Sequence, residues 1–471
     1  MKYSNNRVDE LKIAYIGGGS RGWAWTFMSD LALEPNLSGT VALYDIDQES
    51  ATQNAVIGKM ISANEKAVGK WDYVATHQLS DALTGADFVI ISILPGTFDE
   101  MESDVHLPER LGIYQSVGDT AGPGGFIRAL RTIPDFVMFA KAIEEHCPDA
   151  WVINFTNPMS ICIKTLYHTF PKIKAFGCCH EVFGTQDLLK QILRDEHGIT
   201  NVERDEIKIN VLGINHFTWL NYATYKGMDL FPIYCESVAK NFEHGINQSN
   251  DHWANSHFNS MNRVKFDLFQ KYGLIAAAGD RHLAEFMPGN TYLKDPATIA
   301  DWNFSLTKVA WRKEDLAWRI ARGKRLASGE EKFEIHQSGE EAIILIKALC
   351  GLGQVITNVN IPNAARQISN FPCDAVVETN ALFERDAIRP LYAGAMPENI
   401  YNLMEPHIKA HDLILQAALT FDRELVVQAF MDDPLVKGKA TLDETRQLVD
   451  DMINATITKL PQEWCHNGVD K

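Results

Sequence analysis

Over the first 190 or so residues, short apolar runs alternate with longer stretches of mixed polarity. "KIAYI" (12–16), "TVALYD" (40–45), "DFVIISI" (87–93), "WVINFT" (151–156) and "IKAFGC" (173–178) are strand-length, and the third is apolar almost throughout. Such runs suit strands buried on both faces of a parallel sheet. Helix-like stretches lie between them: from the glycines after 16 to about 33, from 47 to about 62, from 122 to 146, from 158 to about 168, and onward from 182. This order predicts a doubly wound α/β fold with a Rossmann-type parallel sheet. "EIKINVLGINHFTWLNYATY" (206–225) reads instead as a meander, and the helical remainder as a second, mixed α/β domain. The expected domains are 8–205 and 206–471, with the boundary between 195 and 215.

The 471 residues are 46 % apolar and 22 % charged, enough for two globular domains. A net charge of −17 argues against nucleic acid, whose phosphates call for a basic surface. The N-terminal "MKYSNNRVDELK" has no apolar signal core, and no apolar run approaches the length of a membrane span, so no membrane partner is expected. The eight Cys are scattered rather than paired in motifs, which predicts free thiols in a reducing, cytoplasmic setting.

Gly17-x-Gly19-x-x-Gly22 follows the first strand and opens a helix. Glycines there let the backbone approach a pyrophosphate, and the helix supplies amide N–H groups and a positive dipole end. Asp45 closes the second strand, where its carboxylate can accept from a ribose 2′-hydroxyl and so favours NAD over NADP. Arg21 pulls the other way, because an Arg can meet a 2′-phosphate. Ser20 belongs to the same loop, so the expected cofactor-binding set is Gly17, Gly19, Ser20, Gly22, Asp45 and Asn157. Asn157-Pro158 has two readings. It is a good N-cap followed by a good first helical residue. It also lies at a sheet's carboxyl edge, where Asn157 could meet a nicotinamide ribose or a substrate.

Cys178-Cys179-His180-Glu181 leaves the fifth strand at that same edge, and His216 follows another strand. One thiolate and one imidazole from neighbouring loops can hold a divalent ion with positions left open. A buried thiol and a capping His are the plainer alternative. "VGDTAGPGG" (117–125) offers Asp119 or a simple glycine-rich turn. "DRHLAE" (280–285) offers Asp280, Arg281, His282 and Glu285, or a solvated helix face.

Taken together, "IGGGS", "LYDID", "GDTAGPGG", "NFTNP", the Cys-His motif, "GINHF" and "VNIPNAARQISNFPCDAVVE" (359–378) resemble glycoside hydrolase family 4, the NAD- and metal-dependent glycosidases. The likeness runs over almost the whole chain and implies a lactate/malate-dehydrogenase-like fold. In that family the tetrad starting at the metal-binding Cys tracks substrate class. Cys179-His180-Glu181-Val182 is similar to the α-galacturonidase group, which implies an unphosphorylated α-galacturonide from pectin breakdown. An α-glucuronide or α-galactoside is the alternative, and a 2-hydroxy-acid dehydrogenase the alternative outside the family. The resemblance implies Mn²⁺ or another divalent metal on Cys179 and His216. It implies oxidation at sugar carbon 3 by NAD⁺, proton removal at carbon 2, elimination, water addition and return of the hydride. The phosphoglucosidase members use a Tyr as the carbon 2 base. No matching Tyr motif is found here, so Asp280 or His282 is expected instead, with Asp119 and His180 as further catalytic candidates. Asn157, His180, Glu181 and Arg281 are expected to meet substrate, Arg281 through its uronate. The resemblance also implies a homodimer or homotetramer.

Overall fold

The computed structural model describes residues 1–247 and 260–466. Its strands are β1 (Lys2–Ser4), β2 (Arg7–Ile16), β3 (Leu37–Tyr44), β4 (Lys70–Thr76), β5 (Phe88–Ile91), β6 (Trp151–Asn154), β7 (Lys174–Gly177), β8 (Ile207–Ile214), β9 (Phe217–Tyr225), β10 (Met228–Asp229), β11 (Ile275–Ala276), β12 (Val355–Pro362), β13 (Val376–Glu384) and β14 (Ala387–Pro390). In the larger sheet β4-β3-β2-β5-β6-β7 run parallel. Numbered along the chain, that is the 3-2-1-4-5-6 order of a Rossmann fold, with its crevice where the order reverses between β2 and β5.

The strands alternate faces, and each face is covered. Ile13, Tyr15, Val41, Leu43, Phe88 and Ile90 pack on one side with helix Trp23–Leu33. Ala14, Ile16, Ala42, Val89, Ile91 and Val152 pack on the other with helices Gly122–His146 and Met159–Thr169. All four residues of β5 are buried, which is why that run lacks the alternation of a half-exposed strand. The sequence reading passes over β4, an edge strand whose residues alternate between buried and exposed.

The parallel sheet does not end with β7. Strand β12 joins β7 antiparallel, and β13 and β14 extend the sheet further. These strands come from residues 355–390, so the second half of the chain completes the first half's sheet. The smaller sheet is antiparallel, with β9 pairing β8, β10 and β11. β8 and β9 are joined by the two-residue turn Asn215-His216, and His216 sits there at φ +65°. A non-glycine residue in that region costs roughly 1–2 kcal/mol, so the turn holds its imidazole in place against local preference. No helix among the described residues is long and apolar enough to cross a membrane.

Candidate active site at the carboxyl edge

The glycine loop, Asp45, Asn157 and Cys178–Glu181 follow β2, β3, β6 and β7, all at the carboxyl edge of the parallel strands. Gly17 has φ +93°, and a Cβ there would stand 2.0 Å from the Ser92 carbonyl oxygen. Helix Trp23–Leu33 has Gly22 at its N-cap and no side-chain cap, so its first amides remain available to an anion. Asp45 Oδ2 accepts from the Gly19 N–H at 2.8 Å and Oδ1 from the Asp47 N–H at 2.9 Å. Each oxygen keeps a lone pair for a hydroxyl. The Arg21 guanidinium pairs with Asp47 at 3.1 Å, which engages the side chain that could otherwise meet a 2′-phosphate.

The capping reading of Asn157 fails. The helix starts at Met159, Pro158 is the N-cap, and no side chain caps it. The Asn157 carbonyl accepts from Arg128 Nε at 3.0 Å, and its partly buried side chain stays at the crevice.

Beyond β7 the site is made of convergent side chains. Glu181 accepts the Gly279 N–H at 2.7 Å, and its Oε1 lies 4.0 Å from His282 Nε2. The His282 and His216 rings meet edge to face with centroids 3.8 Å apart. His216 Nδ1 lies 3.0 Å from Thr120 Oγ1, which donates to Asp119 Oδ1 at 2.8 Å. Asn215, beside His216, and the Glu181 charge both act on Cys179, and Glu181 acts on His216 as well, so the two expected ligands share one pocket. Among the described residues no group of three or more His, Cys, Asp and Glu forms a ready-made metal cage. A thiol and an imidazole alone are a half-open donor set; these soft and borderline atoms can hold a divalent ion, and the open positions are where substrate and water oxygens would supply the hard donors a manganese-type ion takes.

Burial dominates the electrostatics. It would raise Glu181, yet His282, His216, His180 and the Gly279 N–H hold that carboxyl well below the usual range. Burial and the neighbouring His282 pull His216 down to about 3. Burial, then Glu378 and Glu181, push the Cys179 thiol far up. The carboxylates that keep the thiol protonated are charges a dication would offset. His180 stands at the rim, 3.5 Å from Glu340 Oε1, with its ring 6.3 Å from that of Trp23. All eight cysteines are free, and Cys178 continues the β6 ladder through its N–H to Asn154.

The "DRHLAE" residues part company on the short helix Asp280–Glu285, where successive side chains point about 100° apart. Only His282 enters the pocket. Asp280 is fully buried and accepts backbone N–H groups at the start of helix Arg263–Tyr272, including Lys265 N at 3.0 Å. It is a helix cap over the buried Lys265, and the expectation that it serves as a base is corrected on that ground. Arg281 donates to the Ser305 carbonyl and Thr307 Oγ1, each at 2.8 Å, and to the Ser116 carbonyl. It clasps two loops, so the expected salt bridge from Arg281 to a uronate is corrected as well. Glu285 accepts the N–H groups of Val117 and Gly118 at 2.7 and 2.8 Å, which fixes the loop carrying Asp119. An open depression of about 810 Å³ at the opposite edge of the sheet, lined by Asp9, Lys12, Lys59 and Trp71 among others, has none of this chemistry.

Comparison with known proteins decides the family. Residues 12–195 match the model of the family 4 glycosyl hydrolases, and 211–436 match that of their C-terminal domain. The chain belongs to glycosyl hydrolase family 4. It is 64 % identical over 464 residues to an alpha-galacturonidase of Lachnoclostridium phytofermentans, covering 98 % of this chain and 100 % of the relative. A crystal structure of a putative glucosidase from Bacillus subtilis superposes with a TM-score of 0.88 at 50 % identity, covering 94 % of this chain and 100 % of that one. A 6-phospho-alpha-glucosidase from gut microorganisms, solved in complex with NAD and Mn²⁺, shares the fold at a TM-score of 0.78 and 20 % identity, covering 96 % and 99 %.

Within this family 4 chain, four partners escaped the sequence reading. Glu378 closes the late motif 359–378, whose pattern alone points to no role for its last residue. Glu378 Oε2 accepts from Asn215 Nδ2 at 3.1 Å and Oε1 from Asn358 Nδ2 at 2.6 Å; Asn358 Nδ2 also reaches the Cys179 carbonyl at 3.2 Å. One buried carboxylate, raised to about 7 by burial, thereby ties the His216 turn to the Cys179 segment. Thr120 sits inside "GDTAGPGG", next to the candidate Asp119. Glu340 and Lys265 lie in segments with no motif to flag them.

Proposed function

We propose that this chain hydrolyses α-galacturonides by the oxidation–elimination route. What carries the reading is the Cys179-His180-Glu181 segment at the carboxyl edge, sharing a pocket with His216 and His282 beside an open glycine loop. The kinship with enzymes named alpha-galacturonidase supports the substrate, at 64 % identity in L. phytofermentans and 50 % in B. subtilis. The fold neighbour solved with NAD and Mn²⁺ supports the cofactors.

In this reading the loop Gly17, Gly19, Ser20 and Gly22, whose glycines let a pyrophosphate approach the main chain and the first helix amides, holds NAD⁺ with Asp45, and Cys179 and His216 hold the metal. When bound, these groups supply reversible oxidation at sugar carbon 3 and acidify the carbon 2 hydrogen. The chain's own residues do the rest. The His282–Glu181 pair faces His216, and His282 moves the carbon 2 proton while Glu181 orients its ring. His180, steered by Glu340, meets the glycosidic oxygen at the rim. Asn157 orients the sugar from the β6 side. Asp119 stays behind Thr120 and His216. The same reading takes the enzyme as a cytoplasmic homodimer or homotetramer, which light scattering distinguishes.

The test is proton NMR of the protein with NAD⁺, Mn²⁺ and a short α-galacturonide in heavy water. Release of galacturonate carrying deuterium at carbon 2, without NADH build-up, is expected. Turnover of a glucuronide but not a galacturonide would overturn the substrate. Accumulating NADH without sugar release would overturn the route.

A further inference from the structure

We infer that Asp119 and Thr120 fix the tautomer of His216, so that Nδ1 carries the proton and Nε2 offers its lone pair to the metal pocket. The inference rests on the reading of Cys179 and His216 as the metal pair. Thr120 is a hinge between two acceptors. Its hydroxyl lies 2.8 Å from Asp119 Oδ1 and 3.0 Å from His216 Nδ1, and it has one proton to give. A carboxylate only accepts, so the proton goes to Asp119. Burial opposes the charged form of Asp119, and the Arg128 guanidinium leads the interactions that outweigh it. The Thr120 oxygen can then only accept from the ring, and Nδ1 is the nitrogen facing it. An imidazole that ligates a cation is neutral and has a single N–H, so Nε2 is bare.

The rest of the site holds this chain of contacts in register. His216 is pinned at φ +65° in a two-residue turn. The loop bearing Asp119 and Thr120 is gripped by Glu285 through Val117 and Gly118, and by Arg281 through Ser116. Both grips come from the helix Asp280–Glu285, which also carries His282. One short helix therefore positions the ring beside His216 and the hydroxyl behind it. Thr120 and Asp119 are positioning residues here, since neither needs to touch substrate. Partners of this kind behind a ligating His are worth about 10–100-fold in metal affinity.

The test uses the full chain with NAD⁺ bound, titrated with Mn²⁺ and read by electron paramagnetic resonance. Thr120→Val removes the hydroxyl and keeps the shape; its Mn²⁺ Kd should rise about 10–100-fold, with NAD⁺ affinity unchanged. Thr120→Ser restores the hydroxyl and should restore the affinity. A Thr120→Val Kd equal to wild type, or a Thr120→Ser protein as weak as Thr120→Val, overturns the inference. Nitrogen-15 NMR of the metal-free wild type, labelled in histidine, reads the tautomer without any variant. A protonated Nδ1 on His216 is expected, and a protonated Nε2 overturns the inference. If the wild type binds no Mn²⁺ at all, the metal reading falls, and the NMR result still decides the tautomer.

Discussion

The two ends of the ligand-facing edge are built on different plans. At the glycine loop the chain works with main chain: the Gly17 N–H donates to the Tyr44 carbonyl and the Gly19 N–H to Asp45 at the tip of the next strand, which shapes the loop, and the uncapped helix after Gly22 leaves its first amides open. Everything needed lies within 30 consecutive residues. At the thiol end, side chains from 119–120, 179–181, 215–216, 282 and 358–378 converge in a buried pocket and reset one another's proton affinities. The first plan leaves polar groups open for a ligand. The second engages most of them with one another and leaves Asn215 Oδ1 without a partner next to the expected metal pair, Cys179 and His216. A local loop can be altered one residue at a time, whereas a convergent cluster transmits any change to every member.

That contrast is sharpest at Cys179. In the proposed enzyme, Cys179→Ala should lower kcat/KM at least about 10³-fold, roughly 4 kcal/mol of transition-state stabilisation. It should abolish Mn²⁺ binding and leave NAD⁺ binding intact, as equilibrium dialysis with each ligand would read. Asp280→Asn should do the opposite. Removing the buried charge above Lys265 should cost about 3 kcal/mol of folding stability while kcat stays within about threefold. Denaturant unfolding and steady-state rates measure the two; a collapsed kcat at unchanged stability would return Asp280 to the reacting groups. Glu378→Gln turns an acceptor oxygen into an amide facing an Asn donor, an expected loss of about 1–3 kcal/mol. Melting temperature and Mn²⁺ affinity should fall together, because one carboxylate ties both ligand segments. At the other end, Asp45→Asn should weaken NAD⁺ about tenfold, near 1.4 kcal/mol, without moving the Mn²⁺ Kd. A matching drop in Mn²⁺ affinity would mean that the two ends are one coupled unit.

The same contrast explains what could be read from the chain. The parallel sheet and glycine loop were legible because their signals are contiguous: an apolar run, glycines, a helix, a second run ending in Asp45. Cys179 and His216 stand 37 positions apart in the sequence, and only the family resemblance joined them. "DRHLAE" misled because four polar residues in six looked like one patch, while helical geometry sends Asp280, Arg281, His282 and Glu285 to four different tasks. Glu378 was invisible as a clamp because its partners come from elsewhere in the chain, Asn215 from the turn after β8 and Asn358 from the middle of β12, and pairing across a sheet leaves no local mark. Strands β12 and β13 were likewise legible as a motif and not as part of the first sheet.

That late hairpin also sets a timetable. Gly177 of β7 pairs with Asn360 of β12, 183 residues further on. Synthesis at about 5–20 residues per second leaves the outer edge of β7 uncovered for roughly 10–40 s after it emerges. The segment that bears Cys179 spends this time attached to an unpaired strand edge. The thiol end of the site therefore cannot close until β12 has been made, whereas the whole glycine loop and Asp45 have been synthesised long before.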